Sequence, residues 1–298
     1  MHFWYRSDHH GCHASPDPSG NPRQSASNGS GGSCSRKDKI TRHDNLPGGA
    51  VVVKRLMMLL AFLGILVQPA ISDWFEPAPE FVFARLACSN RESWMYWPQY
   101  WPDMPPWKHD FPASDEFFIG ILHELTGVRV TPDSYKIVRL DSPDVFKYPF
   151  LYLSEPGFLT LNEKEIANLG EYIRRGGFIM ADDFRTGAYL GGPNELEVLR
   201  YYLKRALPER DLVRLDVTHP IFHTFYDIDT LNLTPPYGAF VPEFWGMSDE
   251  HGRLQIIANY NNDLGDFWKY LDQGDKPLKD SARSIRIGID YLIYAMSH

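Results

Sequence analysis

The segment 148–184 constrains the fold more than any other part of this sequence, because it predicts two strands and a helix within one short stretch. The apolar runs Phe150–Leu153 and Phe178–Ala181 are typical of buried strands, and the second run ends abruptly in Asp182-Asp183. A helix is indicated between them by apolar residues spaced three and four apart: Ile166, Leu169, Tyr172 and Ile173. Gly176 follows and is suited to end this helix. Strand, helix and strand in this order predict a parallel pair joined by a crossover helix.

The sequence after residue 73 continues this alternation. Further strands are predicted near 80–87, 128–130, 137–140, 212–215 and 253–260, and further helices over 115–126, 195–207 and 281–296. An irregular insertion is predicted after Pro235-Pro236, and a polar turn over 261–266. Alternating strands and helices predict a mainly parallel sheet covered on both faces. We therefore expect residues 73–298 to form one α/β domain, three-layered and flavodoxin-like.

Residues 1–50 are unlike the rest of the chain, since they are rich in Ser, Gly, Asn, His and Arg and poor in aliphatic residues. Such a composition buries too little apolar area to offset the entropy of ordering. This segment is therefore either a disordered tail or sequence upstream of the true start.

Residues 51–72 have the features of a secretory signal. Lys54-Arg55 precede the apolar run Leu56–Val67, and small residues follow in Pro69–Ser72. The run is short for a membrane span, although an uncleaved anchor and a buried apolar segment are alternatives. Export would leave a mature domain beginning near Asp73, in the periplasm or anchored on the outer side of the inner membrane.

Charge and cysteine content exclude some classes of function. The net charge is −8, and residues 1–55 contain eight basic and four acidic residues, so the remainder carries about −12. Nucleic acid is therefore not the expected main partner, because phosphate contacts need a basic surface. Of Cys12, Cys34 and Cys88 only the last lies in the predicted domain, so neither an internal disulfide nor a zinc spacing is expected there.

A set of ordered motifs between Phe81 and Met296 resembles a known family. The motifs are EFVFARL, ELTGVRV, YPFLYLSEPG, LTLNEKEIANLGEYIRRGGFIMADD, HPIFHTFYD, IIANYNNDLGDFW and IGIDYLIYAM. Together they resemble the bacterial family of domain of unknown function 4159. That resemblance implies an architecture similar to class I glutamine amidotransferases. Those enzymes place a nucleophilic cysteine in a glycine-flanked turn after a central strand, whereas the matching segment Ser154–Gly157 has no cysteine, which argues against amidotransferase chemistry.

Polar side chains follow several of the predicted strands. Ser154 and Glu155 follow the first strand of segment 148–184, and Asp182 and Asp183 end the second. Because ligands of open α/β sheets lie beyond the carboxyl ends of the strands, Glu155, Asp182, Asp183 and His219 are the candidate catalytic residues. Ser154, Asn261, Asn262 and Asp263 are candidate ligand-binding residues.

Carboxylates with histidine suit acid–base chemistry or a divalent metal. The sequence has no His-Glu-x-x-His or similar spacing, so neither a metal site nor a cofactor is predicted. Each candidate also has a structural interpretation. Asp182 suits a cap and Asp183 a partner for Arg185, while Glu155 and His219, each next to a proline, suit rigid turns.

A loop rich in tryptophan and proline adds a second candidate surface. Trp97 and Trp101 lie in it, and the prolines exclude a regular helix or central strand. The aromatic rings either cover the core or form a platform for a ligand such as a carbohydrate. Three functions follow: an exported non-catalytic module that binds a small molecule or protein, an exported hydrolase or lyase that uses the carboxylates and His219 with or without the help of a metal, and a component of a membrane-associated assembly.

Overall fold

The structure is a computed structural model, and it describes residues 80–90, 104–186, 194–236, 238 and 240–298. The chain divides into two compact units, Met1–Trp74 and Phe75–His298, and every described residue belongs to the second. The predicted tail and the predicted signal or anchor therefore lie outside the described residues. None of the described helices combines the length and apolar character that crossing a membrane requires.

A mixed seven-stranded sheet forms the centre of the described domain, with strand order β2-β1-β3-β4-β7-β6-β5. The strands are β1 (Phe83–Ala87), β2 (Tyr135–Arg139), β3 (Phe150–Ser154), β4 (Phe178–Phe184), β5 (Val213–Leu215), β6 (Glu243–Ser248) and β7 (Leu254–Tyr260). Neighbouring strands are parallel from β2 across to β7, whereas the β7–β6 and β6–β5 pairs are antiparallel. The predicted α/β class is confirmed. The sheet is mixed, because β6 runs antiparallel to both of its neighbours.

Helices connect and cover these strands. They are α1 (Ala113–Leu125), α2 (Glu163–Arg174), α3 (Glu195–Ala206), α4 (Leu264–Lys269) and α5 (Leu278–Ser297). A capping box of Asn162 and Glu165 begins α2, because each side chain accepts a backbone N–H of the other residue. Gly176, at φ +93°, lies just beyond the end of α2. The crossover unit of segment 148–184 is therefore present as β3, α2 and β4.

Apolar side chains pack against both faces of the sheet. Along β4, Ile179 and Ala181 belong to one buried cluster, which includes residues of α2 and α3. Phe178 and Met180 belong to the other, which includes residues of α1, α4 and α5. Because successive side chains of a strand point to opposite faces, this division explains why the central strands are apolar without interruption.

Three predictions of local structure were wrong. Residues 128–130 are not a strand, although Glu80 N donates to Arg129 O beside them. The predicted irregular insertion contains β6, which pairs with β7 from Glu243 opposite Tyr260 to Ser248 opposite Leu254. The predicted polar turn continues into α4, because the Asp263 side chain caps that helix by accepting Asp266 N.

A bulge interrupts β4 where its carboxylates begin. Ala181 pairs with Ala258 and Phe184 pairs with Tyr260, so two residues of β4 lie opposite the single residue Asn259 of β7. The second of these two, Asp183, has φ +58°. A bulge changes the direction of a side chain, and here it separates the directions of the two neighbouring carboxylates.

Candidate functional site

The carboxyl ends of three neighbouring parallel strands meet at one edge of the sheet. Glu155 follows β3, Asp183 lies at the end of β4, and Asp263 follows β7. The connection from β1 to α1 adds His109 and Asp110 at the same place. We call this set, His109, Asp110, Glu155, Asp183 and Asp263, the edge cluster.

The backbone is strained at this edge. Within the described residues, the non-glycine residues with positive φ are Asp110 (63°), Glu155 (53°), Asp183 (58°) and Asn261 (58°). Three of them belong to the edge cluster, and the fourth lies two residues before Asp263. The left-handed conformation costs an L-residue roughly 1–3 kcal/mol and persists only where the surrounding structure holds it. The strain therefore coincides with the residues that carry the polar side chains.

His109 lies at the centre of the edge cluster. Its Nδ1 is 2.5 Å from Asp183 Oδ2 and 3.6 Å from Glu155 Oε1, and its Nε2 is 3.8 Å from Asp110 Oδ1. The imidazole side chain is 17% exposed, while the side chains of these three acids are nearly inaccessible. Solvent or a ligand therefore meets the edge cluster first at His109.

The electrostatics separate the two acids nearest to His109. Burial alone would raise the pKa of Asp183, but the charge and hydrogen bond of His109 outweigh burial and lower that pKa to about 2. Burial, followed by the charge of Asp183, raises the pKa of Glu155 well above its usual value. Burial lowers and Asp183 raises the pKa of His109, and the net direction is upward. Asp183, whose pKa is lowered, therefore lies beside an imidazole and a carboxyl group whose pKa values are both raised.

Glu155 has a buried oxygen without a hydrogen-bond partner. Its Oε1 accepts no hydrogen bond from any described residue, and the residue is 1% exposed. Burying a polar atom without a partner is unfavourable by about 1–3 kcal/mol. The arrangement is therefore suited to a group that is supplied from outside the chain.

Four residues of the edge cluster are arranged as a metal-binding set. His109, Asp110, Asp183 and Asp263 each offer one ligand atom, and these atoms all lie within 4.8 Å of one another. The sequence predicted no metal site, because it contains no His-Glu-x-x-His or similar spacing.

Asp182 lies next to the edge cluster but points away from it. Its Oδ2 accepts from Leu264 N at 2.9 Å, Gly265 N at 3.0 Å and Tyr152 Oη at 3.0 Å, and its Oδ1 accepts from Asn259 Nδ2 at 3.0 Å. Burial raises the pKa of Asp182 to about 7, although these donors favour the charged form. Asp182 thus fixes the start of α4 against β3 and β7, which is a structural role.

Arg85 of β1 holds the segment that carries His109. The guanidinium is fully buried and donates to the carboxylate of Asp115, to Ser114 Oγ, to Trp107 O at 3.2 Å and to His109 O at 2.9 Å. It also lies over the ring of Tyr152, with Cζ 4.7 Å from the ring centroid. Because the carbonyl of His109 is fixed in this way, its imidazole is directed at Asp183.

A further acid supports the turn after β4. Glu195 Oε2 accepts from Arg185 N at 2.5 Å, and the Arg185 side chain lies 3.5 Å from Asp183 Oδ1. Burial raises the pKa of Glu195 to about 7. A Cβ on Gly157 would meet Glu195 Cγ at 2.3 Å, so only glycine lets the turn after Glu155 approach this acid.

The other candidates from the sequence are placed around this edge. Ser154 is buried and lies opposite Asp182 in the register of β3 and β4. Asn261 accepts from Thr186 N at 2.8 Å and donates to Val241 O, so it holds two loops together. Asn262 is fully buried, and its side-chain atoms find no partner among the described residues. Trp97 and Trp101 lie outside the described residues.

His219 does not join the edge cluster. It lines a surface depression with Ser248 and Glu209, and Ser248 pairs with Leu254 at the start of β7. Leu215 of β5 also lines this depression, and His219 Nδ1 accepts Ile221 N. His223 contacts Asp227 and Val217 O on an exposed surface. The expectation that His219 approaches Asp182 and Asp183 is not supported by any hydrogen bond or ion pair among the described residues.

Sequence reasoning missed His109, Asp110, Arg85 and Lys269. Lys269 donates to Asp110 Oδ1 at 2.8 Å. His109-Asp110 follow a stretch rich in tryptophan and proline, whose lack of periodicity gives no sign of their position. The charged Arg85 within the apolar run 81–87 was the one available signal, because a buried charge needs a partner.

Comparison with known proteins identifies the family. The family model described as a domain of unknown function, DUF4159, matches residues 99–296. The chain therefore belongs to this family, and the match contains every residue of the edge cluster. No curated protein matches the chain.

Proposed function

We propose that this chain is an exported bacterial α/β protein that binds a ligand at the edge cluster. The observation that carries the proposal is the coincidence of strain and charge: Asp110, Glu155 and Asp183 each combine positive φ with a buried carboxyl group. Strained residues are retained where the surrounding structure enforces them, and they concentrate at binding and catalytic sites. Glycine would adopt the same backbone conformation without strain.

The strand order supports a flavodoxin-like, three-layered architecture of the class I glutamine amidotransferase type. The parallel part of the sheet has the order β2-β1-β3-β4-β7, which corresponds to the order 2-1-3-4-5 of flavodoxin-like sheets. In such sheets the ligand lies beyond the carboxyl ends of the strands, near the point where the order reverses. The edge cluster lies on β3, β4 and β7 with a contribution from the β1 connection, so its position agrees with this rule.

Export is the second part of the proposal, and residues 51–72 support it by their resemblance to a secretory signal. N-terminal sequencing of protein isolated from the native host should yield a chain that begins near Asp73. A mature cytoplasmic protein that keeps Leu56–Val67 would contradict export, and binding at the edge cluster would be unaffected by that result.

The binding proposal is tested by a thermal-shift screen of the full chain in the presence of a chelator. The panel contains sugars, organic acids, phosphate esters and amines, because compounds that bind only the native state raise the melting temperature. Asp183→Asn is the site variant, since asparagine tolerates positive φ. Asp290→Asn is the matched control, because Asp290 is also a fully buried carboxylate but does not belong to the edge cluster. It accepts Phe225 N and Tyr226 N.

We expect at least one compound class to stabilise the wild type and the Asp290→Asn variant but not the Asp183→Asn variant. An equal response of all three proteins would show that the compound binds elsewhere and would count against this edge as the binding site.

A hydrolase or lyase is the second candidate function. Glu155 supports it, because this residue occupies a strained turn directly after the central strand β3, and His109 with Asp183 forms a short imidazole–carboxylate contact 3.6 Å from Glu155 Oε1. A carboxylate at such a turn is suited to nucleophilic or acid–base catalysis. Glu155→Gln should abolish hydrolysis of any chromogenic glycoside or ester that the wild type cleaves. Unchanged turnover by this variant would exclude Glu155 from the chemistry.

A further inference from the structure

We propose that the ligand of the edge cluster is a divalent metal ion, coordinated by His109, Asp110, Asp183 and Asp263. This inference rests on the proposed function, because it names the ligand of that same site. The chemical class is an ion that accepts one imidazole nitrogen together with carboxylate oxygens, for which Mn²⁺ is the first choice and Zn²⁺ the principal competitor.

The distances fit an ion with four protein ligands. One ligand atom from each of the four residues lies within 4.8 Å of the others. An octahedral Mn²⁺ site with bonds of about 2.1 Å needs neighbouring ligand atoms about 3.0 Å apart, with water completing the coordination. Small rotations of the side chains would close the set to this separation, with no movement of the strands that carry it.

A second observation points to a ligand independently of the cluster. Glu155 Oε1 is buried, has no hydrogen-bond partner among the described residues, and lies 3.6 Å from His109 Nδ1. That nitrogen is itself 2.5 Å from Asp183 Oδ2, so the unpartnered oxygen faces the metal-binding set. A bound cation, or a water molecule on it, would satisfy this oxygen.

The charges in the described part of the chain leave room for a cation. Lys269 pairs with Asp110, Arg185 with Asp183, and Lys276 with Asp266. Among the described ion pairs none involves Asp263, whose Oδ1 accepts Asp266 N at 2.8 Å. Carboxyl groups held together in a low-dielectric interior repel one another strongly once they are ionised. A divalent ion at the shared position would remove this repulsion.

Hydrogen bonds from neighbouring residues also hold three of the proposed metal ligands in place. Arg85 fixes the carbonyl of His109, Lys269 fixes one oxygen of Asp110, and the first turn of α4 fixes one oxygen of Asp263. Such outer contacts orient metal ligands and contribute to affinity. A Cβ on Gly265 would lie 2.7 Å from Tyr152 Oη, 3.5 Å from Asp263 Oδ1 and 3.7 Å from Asp110 Oδ2, so glycine leaves this side of the set uncrowded.

The experiment titrates the chelator-treated, dialysed full chain with MnCl₂, ZnCl₂, MgCl₂ and CaCl₂ separately. Binding is followed by melting temperature and by isothermal titration calorimetry, and the Mn²⁺ titration is also followed by electron paramagnetic resonance. These readouts do not depend on any enzymatic activity. Asp263→Asn is the principal variant because asparagine also caps helices well, and Asp110→Asn is the second because asparagine tolerates positive φ. Asp290→Asn is the control.

We expect Mn²⁺ at about one hundred times its dissociation constant to raise the melting temperature of the wild type by about 5–10 °C. Loss of one ligand should weaken binding by more than about tenfold in the Asp263→Asn and Asp110→Asn variants. The Asp290→Asn control should match the wild type. If Zn²⁺ binds more tightly than Mn²⁺ with the same dependence on the variants, the site stands and the preferred ion is Zn²⁺.

Two outcomes would overturn the inference: no binding of any of the four ions at millimolar concentration, or equal binding by the wild type and both ligand variants. If an organic compound still binds in chelator and Asp183→Asn abolishes that binding, the metal inference fails while the proposed function stands. If the variants change the binding of neither a metal ion nor an organic compound, both the metal inference and the proposed function fail.

Discussion

Turns at both edges of the sheet contain residues with positive φ, but the residue types differ. At the amino edge, the turns that lead into β4 and β7 place Gly176 at φ +93° and Gly252 at φ +82°. At the carboxyl edge, Glu155 and Asp183 adopt φ +53° and +58°. Glycine adopts this conformation without strain, whereas other L-residues are destabilised by it. The difference indicates that side-chain chemistry, rather than stability, determines the residues at the carboxyl edge.

The two edges also differ in how deeply their charged side chains are buried. At the amino edge, the ion pair of Arg210 with Glu250 lies at the surface, with the glutamate side chain 70% exposed. At the carboxyl edge, the side chains of Asp110 and Asp183 are 3% and 1% exposed. Exposed pairs contribute little to stability, whereas buried charges depend on their partners. We therefore expect substitutions to have large effects at the carboxyl edge and small effects at the amino edge.

The largest effect is expected for Arg85→Met. This substitution leaves Asp115 buried without its charge partner and removes the donors that hold Trp107 O and His109 O. We expect the free energy of unfolding to fall by about 3–5 kcal/mol, measured by urea denaturation. Arg139→Met is the control, because its pair with Asp141 is exposed, and its loss should stay below about 1 kcal/mol. Equal losses in the two variants would remove the distinction between the two kinds of ion pair.

A second effect is expected from pH through Glu195. Its folded pKa of about 7 lies above the ordinary value of 4.5, so the folded state binds more protons than the unfolded state between these values. The contribution of this group is fully present below about pH 4.5 and is lost as the pH rises through about 7, by up to about 3 kcal/mol. Glu195→Gln keeps an acceptor for Arg185 N and removes the titration.

The measurement compares urea denaturation of the wild type and Glu195→Gln between pH 4.5 and 8. The difference in unfolding free energy should change in favour of the variant as the pH rises. A difference that is independent of pH would show that Glu195 ionises normally in the folded protein.

The smallest effect is expected at the amino edge. A Cβ on Gly252 would meet no atom within 4 Å, so Gly252→Ala tests the conformation alone. At φ +82° alanine should lower the unfolding free energy by about 1 kcal/mol. Gly127→Ala is the matched control, since the site is equally open and no positive φ is recorded there. A neutral Gly252→Ala variant would show that positive φ is tolerated at both edges without strain.

The sequence predicted the parallel part of the fold well, because periodicity and caps are local signals. Phe150–Ser154, Glu163–Arg174 and Phe178–Phe184 are formed as expected, since apolar runs and a capping box act over a few residues. The antiparallel β6 was missed although only residues 249–253 separate it from its partner β7, because the prolines that precede it were taken to indicate irregular structure.

The candidate site was predicted only in part, for a related reason. Glu155 and Asp183 follow strands directly, so the rule for carboxyl ends locates them. His109 comes to the same place through the carbonyl contacts of Arg85, across 24 residues, and no spacing in the sequence encodes this. Asp182 and Asp183 are adjacent, yet the bulge gives them different roles. That separation depends on pairing with β7, which the sequence did not reveal.

The most direct test of the account is the unfolding free energy of Glu155→Gly with and without Mn²⁺. Without the ion, glycine relieves the positive φ and removes a buried carboxyl group, so the variant should be more stable than the wild type by about 1–2 kcal/mol. With the ion, the wild type should gain more stability than the variant, because Glu155 Oε1 faces the bound cation. A variant that is less stable without Mn²⁺ and gains as much from it as the wild type would contradict the claim that strain at this edge is maintained for a ligand.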